Sequence, residues 1–102
     1  MRYVLIIQFQ VKSIDDYDEV IRIEDHIIQI VGNSAVVDGH DAGRGEMNIF
    51  IFTDHPLSTF ALIKEKFGQI AERCGFKAAF READGEEYTV LWPVESTEFN
   101  VI

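Results

Sequence analysis

SAVVDGHDAGRGEMNIFIFT, residues Ser34 to Thr53, places two β-prone runs on either side of the glycine-rich D-A-G-R-G, Asp41 to Gly45. Ser34 to His40 and Met47 to Thr53 are rich in Val, Ile and Phe, the side chains that pack well on a pleated surface. Their closeness in sequence predicts a hairpin, and Asp41 to Gly45 predicts a connection longer than the tightest two-residue turn. A hairpin here decides the fold because of what flanks it. Upstream, Ser13 is placed to cap a helix that Asp15, Asp16, Asp18 and Glu19 stabilise at its positive end and that Gly32 stops. Downstream, Asp54 or His55 caps a second helix with Pro56 in its first turn and Gly75 at its end.

Both helices are amphipathic. At 100° per residue, Ile14, Tyr17, Val20, Ile21, Ile23, Ile27, Ile28, Ile30 and Val31 fall on one broad side of the first. Phe60, Ile63, Phe67, Ile70, Ala71 and Cys74 line the second, with Gly68 inside it. Before the first helix, Tyr3, Leu5, Ile7, Phe9 and Val11 alternate with Val4, Ile6, Gln8 and Gln10, a period-two strand whose second face turns polar half way. After the second helix come Phe76 to Arg81 and Tyr88 to Trp92, joined through Asp84-Gly85 and stopped by Pro93.

The order βαββαββ predicts an α+β fold, a ferredoxin-like sandwich whose antiparallel sheet carries two helices on one face. One such domain spans residues 1–93, and Val94 to Ile102 form a C-terminal tail that frays or pairs on an edge. The parity of Val4, Ile6, Phe50, Phe52 and Leu91 puts them on the sheet's other, open face. So large an exposed apolar patch predicts a cover, by a second copy in a homodimer or by a partner protein.

Composition narrows the function classes. The chain has 102 residues, 47% of them hydrophobic, enough for one core without staples. Cys74 is the single cysteine, so no internal disulfide or multi-cysteine zinc site is available. Acidic residues outnumber basic ones 18 to 9, for a net charge of −9, and the basic residues are scattered. Nucleic acid and anionic membranes both call for clustered Lys and Arg, so neither is an expected partner. A basic protein or a cation is the favoured one. The amino-terminal apolar run is broken by Gln8 and Gln10 and lacks a small-residue cleavage site, which predicts a cytoplasmic protein.

Two places hold residues out of keeping with their surroundings. Glu24 lies within the apolar arc of the first helix, among Tyr17, Ile21, Ile28 and Val31. A bare carboxylate is costly to bury. It calls for a partner, with Arg44, Arg81 or Asn48 as candidates, or for a role in catalysis, since perturbed carboxylates concentrate in active sites. The second place is the hairpin, where Asp38, His40, Asp41, Glu46 and Asn48 are candidate ligand- or partner-binding residues. Glu24 and His40 are the catalytic candidates. Asp38 and His40, two apart on a strand, share a face and form an alternative metal pair. Against this, their spacing matches no metal motif, and Asp and Gly are ordinary hairpin residues. G-H-D-A-G-R-G lacks the Lys-Ser/Thr of a phosphate loop, and no cofactor is expected. His26 and His55 read as a solvated residue and a helix-start residue, and Cys74 as a small hydrophobe.

The runs D-G-H-D-A-G-R-G-E-M-N-I-F-I-F-T-D-H-P, Asp38 to Pro56, and Y-T-V-L-W-P, Tyr88 to Pro93, resemble a small bacterial family of uncharacterised proteins. The resemblance extends over residues 34 to 93 and implies no activity. It concentrates distinctive residues in the hairpin: Asp38, Gly39, Asp41, Gly43, Gly45, Glu46 and Asn48. In element order the chain is also similar to dimeric α+β barrel proteins, among them small monooxygenases and haem-degrading enzymes, a fold-level analogy only.

Small size, strong acidity and the lack of a catalytic set favour a non-enzymatic protein-binding module, for example an immunity-type inhibitor of a bacterial toxin. The alternatives are a small enzyme or ligand binder of the dimeric-barrel type, with Glu24, His40, Asp38 and Asn48 around a cavity, and a structural homo-oligomer subunit.

Overall fold

Period-two and helical patterning resolve into Tyr3–Gln10 (β1), Ile14–Val31 (α1), Ala35–Gly43 (β2), Glu46–Thr53 (β3), Pro56–Cys74 (α2), Phe76–Glu82 (β4) and Thr89–Trp92 (β5). The computed structural model of the chain describes residues 2–74, 76–93 and 99, with side chains for all of these except 67–74. The expectations for Phe67, Gly68, Ile70, Ala71 and Cys74 as side chains, for Gly75, and for the tail apart from Phe99 lie outside the described residues.

The fold is α+β, a five-stranded open sheet ordered β2-β3-β1-β4-β5 with two helices, and every neighbouring pair of strands is antiparallel. β1 is central and explains the order of the rest. Val4, Leu5, Ile6, Ile7, Gln8 and Phe9 are all buried, so this strand needs neighbours on both edges and cover on both faces. Leu5, Ile7 and Phe9 join Met47, Ile49 and Ile51 of β3 beneath Val20, Ile23 and Ile27 of α1 and Phe60 and Ile63 of α2. Both helices thus lie on the same side of the sheet.

The caps follow their chemistry. The Ser13 hydroxyl accepts from the Asp16 amide at 3.2 Å, and Gly32, at φ 53°, donates its amide to Ile28 O at 3.2 Å. That φ lies in the region where a Cβ is penalised. At α2 the His55 carbonyl accepts from the Thr59 amide at 2.9 Å, which makes His55 the capping residue, while Asp54 accepts from the Arg2 amide at 2.9 Å.

Three expectations are corrected. β2 runs to Gly43 and β3 starts at Glu46, so the hairpin closes through the two residues Arg44 and Gly45 rather than a longer loop. Their φ values of 54° and 78° are both positive, as a two-residue turn matched to strand twist requires. Asp41 and Ala42 therefore belong to the ladder, paired with Asn48 and Met47. The sheet's second face is partly covered: Val4, Ile6 and Ala79 are buried there with Phe99, whose ring lies 5.2 Å from that of Tyr88, while Val36, opposite Phe52, is 53% exposed. Phe50 and Phe52 pack on the same cluster as expected. Leu91, however, joins the helix-side core, because the β4–β5 register shifts between Ala78 and Ala79 and inverts the parity read from the sequence. No helix among the described residues is long and apolar enough to cross a membrane.

Candidate functional site

The buried face of α1 is built from Val20, Ile23, Glu24, Ile27 and Val31. Its centre is roughly 50° away from Glu24 on a 3.6-residue helix, so the carboxylate sits on the margin that faces β2 rather than in the middle of the arc. The sequence arc is too broad because Ile14, Tyr17 and Ile28 are exposed in the fold.

On β2 the register shifts between Val37 and Gly39, leaving Asp38 as an extra residue in a bulge. The bulge interrupts the i, i+2 rule between Asp38 and His40, and Asp38 is exposed. His40 pairs with Ile49, a helix-side core residue, and therefore projects toward α1. There its Nδ1 lies 2.9 Å from Glu24 Oε1 and 3.0 Å from Oε2. An ionised carboxylate only accepts, so Nδ1 carries the proton and donates to both oxygens. The side chains are 28% exposed for His40 and 11% for Glu24. Tyr17 stands edge-on to the imidazole with ring centroids 6.4 Å apart. The partner of Glu24 is thus His40; Arg44 lies in the turn, and Arg81 donates to the carbonyls of Glu82, Ala83 and Gly85.

Asn48 is not a partner of Glu24 either. It lies on the sheet's other face, where Gln8 Nε2 donates to Asn48 Oδ1 at 2.9 Å and Asn48 Nδ2 donates to Asp41 Oδ1 at 3.0 Å. Gln8 and Asn48 are directly opposed on β1 and β3, as are Asn48 and Asp41 on β3 and β2, so the register itself builds this three-strand polar ladder. The sequence signal was present in Gln8, the residue that breaks the apolar alternation of β1.

The candidate residues therefore divide between the two faces. Glu24 and His40 pair at the seam between α1 and β2; Asn48 and Asp41 pair on the opposite face. Glu46 contributes to a third feature, an open groove of about 430 Å³ between the start of α1 and the β2–β3 turn, lined chiefly by Val11, Ile14, Tyr17, Ala42 and Glu46. Among the described residues, no three His, Cys, Asp or Glu side chains come together as a metal site would need.

The Glu24–His40 pair holds one imidazole nitrogen as a donor, as carboxylates do when they orient a catalytic histidine. The Tyr17 ring packs against that imidazole at a steep angle. Around the pair the surface is apolar and acidic. Ile14 and Ile28 are 80% and 47% exposed and run along α1 with Tyr17. Asp18 and Asp25, also exposed, fall just outboard of that row by helical geometry. Asp38, in the β2 bulge, adds an exposed carboxylate at the sheet edge. β2 is at the edge of the sheet, so one row of its backbone groups has no partner strand among the described residues.

Comparison with family models, curated proteins and solved structures finds no match to the chain.

Proposed function

We propose that the chain is a small protein-binding module that engages a basic partner through the seam between α1 and β2. An inhibitor of the toxin-immunity type is one concrete form. The observation that carries this reading is the exposed apolar row Ile14, Tyr17 and Ile28, set beside a strand edge that is unpaired among the described residues and bordered by carboxylates. Isolated exposed apolar residues are ordinary, but a row along one helix next to an unpaired edge is what partner proteins cover. The acid border, within a net charge of −9, selects for positive charge on that partner. The seam is preferred to the sheet's second face as the proposed surface, since Phe99 covers the middle of that face.

The scaffold is proposed to be ferredoxin-like. The strand order β2-β3-β1-β4 with both helices on one side supports that class, with β5 added at the β4 edge. The arrangement makes β2 and β5 the edges and sets α1 along the inner side of β2.

The test is site-specific photo-crosslinking in cells that encode the chain. A crosslinker at Ile14 or at Ile28 should capture the same protein. One at Leu57, which is 62% exposed but lies on α2, should not. Capture of nothing from the seam, or of the same set from all three sites, refutes the reading.

A further inference from the structure

The register fixes which backbone groups of β2 point away from the sheet. Val11 donates its amide to Gly45 O at 2.8 Å, one step beyond the Phe9–Met47 pair, so Met47 and Ile49 direct their backbone groups to β1. Antiparallel strands alternate that direction, so Glu46 and Asn48 direct theirs to Gly43 and Asp41 of β2. His40 and Ala42 are left facing outward, each with one N–H and one C=O. His40, Asp41, Ala42 and Gly43 are all exposed; the His40 side chain is 28% exposed, so its main chain accounts for much of this. No backbone hydrogen bond outside the β2–β3 ladder reaches His40 or Ala42 among the described residues. The Asp38 bulge ends this free stretch on one side and the Arg44–Gly45 turn ends it on the other. Side chains alternate as well. Ala42 opposes Met47, a helix-side core residue, and shares the open groove with Val11, Ile14 and Tyr17. The Asp41 and Glu46 side chains lie on the opposite face, which is acidic here.

We propose that an extended segment of the partner adds to the His40–Gly43 edge as an antiparallel strand, with an apolar side chain opposite Ala42 and a basic one opposite Asp41. The inference rests on the protein-binding reading and names how the partner is held. In strand addition, main-chain hydrogen bonds supply affinity and alternate side chains supply specificity. Residues directly opposed across antiparallel strands share a face. The side chain opposite Ala42 therefore extends the apolar wall of Ile14 and Tyr17. Its chain neighbour falls on the other face, beside the exposed Asp41 carboxylate, where a positive charge is favoured. A second copy of β2 fits poorly, since it offers Asp38 and Asp41 where the edge calls for a basic residue.

The probe is the end-blocked peptide T-V-R-V-R-V-T, and the readout is amide hydrogen exchange of the full chain. In the free chain the Asp41 and Gly43 amides, bonded to β3, should exchange slowly and those of His40 and Ala42 fast. The peptide should slow His40 and Ala42 at least about tenfold. N-methylation of its valines, whose amides face β2, should abolish this protection. N-methylation of its arginines, whose amides face away, should change it by less than about twofold. Glutamate in place of both arginines should abolish binding. Asp41→Asn should weaken the arginine peptide about threefold, and Ile14→Ser, at an exposed position, by a similar factor. Leu57→Ser, exposed on α2, should leave it unchanged. Unchanged exchange at His40 and Ala42 in about 10 mM peptide overturns the proposal. So does equal loss of protection from methylating valines or arginines, or equal binding of the arginine and glutamate peptides. Protection that rises with chain concentration without peptide assigns the edge to a second copy and overturns it too. The protein-binding reading fails separately. A partner captured from Ile14 and Ile28 that leaves His40 and Ala42 exchanging as in the free chain keeps that reading and removes the added strand. Peptide protection in the expected pattern, with no protein captured from the seam, does the reverse.

Discussion

Replacing His40 by alanine should destabilise the protein far beyond what a surface histidine normally contributes. The deletion removes the donor that meets both oxygens of Glu24, at 2.9 and 3.0 Å, and leaves a carboxylate that is 11% exposed. Hydrogen bonds to charged groups contribute about 1.5–3 kcal/mol. Stranding one member of a fully buried pair costs about 3–5 kcal/mol. Residual water access to Glu24 and the partial exposure of His40 put the expected loss near the lower of these ranges, about 2 kcal/mol. For a domain of this size that is a fall in Tm of roughly 8–16 °C. Urea unfolding followed by circular dichroism measures it. Three further variants separate the hydrogen bond from simple loss of volume. His40→Asn can place an amide N–H near the Nδ1 position and should recover at least about half of the loss. Glu24→Gln keeps an acceptor for Nδ1–H and should cost only about 0.5–1 kcal/mol. The pair Glu24→Met with His40→Leu removes both polar partners and should lie within about 1 kcal/mol of wild type, well above His40→Ala alone. If His40→Ala unfolds within about 0.5 kcal/mol of wild type, Glu24 is satisfied by water and the pair holds nothing together.

The second sheet face gives another test. Phe99→Ala should cost about 3 kcal/mol and create binding sites for a hydrophobic dye, because Val4, Ile6 and Ala79 lose their cover; unchanged dye binding would refute this. At the hairpin, Arg44→Asn should raise stability by roughly 0.5–1 kcal/mol, since Asn tolerates the φ of 54° found there better than Arg does. Denaturant midpoints decide it, and a loss would mean the turn is not of this type. Ser13→Ala should cost about 1 kcal/mol by removing the acceptor of the Asp16 amide, read in the same assay.

How far the sequence could reach depended on whether a feature was local. Caps at Ser13 and Gly32, the two helices and the strand positions follow from residue type and spacing, and the structure contains them. Facing was legible where pairing is regular: Leu5, Ile7 and Phe9 against Val4, Ile6 and Gln8 divide as their alternation requires. It failed for Leu91 and for Asp38 relative to His40, because each lies beyond a register shift that alternation cannot reveal. The candidate site shows the same boundary. Glu24 was legible as an intruder among apolar residues, but its partner depends on which strand lies beside α1. Asn48 was legible as polar on an apolar strand, and its partners Gln8 and Asp41 are set by register across three strands. Ile14, Tyr17 and Ile28 were counted as core because hydrophobicity alone does not distinguish an apolar row facing the sheet from one facing outward.

That outward row also bears on whether the chain pairs with itself. An exposed edge such as β2 can template a second β2, and its exposed apolar neighbours would favour such a dimer. Antiparallel pairing of two β2 edges, however, would set Asp38 and Asp41 of one copy against those of the other, with Asp18 and Asp25 nearby on each helix. Like charges directly opposed across strands are destabilising, and the one basic residue on β2, His40, is turned toward Glu24. The same carboxylates that oppose a symmetric dimer attract a basic partner, so the surface discriminates between the two by repulsion as much as by attraction. Two salt dependences of opposite sign follow. Added salt should weaken binding of a basic partner, by slowing association, and should favour self-association by screening the carboxylates. Sedimentation from about 0.05 to 1 M sodium chloride, spanning Debye lengths from above about 10 Å to about 3 Å, tests the second. A dimer that is tightest at the lowest salt would show that these carboxylates do not repel across β2, and would assign the seam to a second copy of this chain.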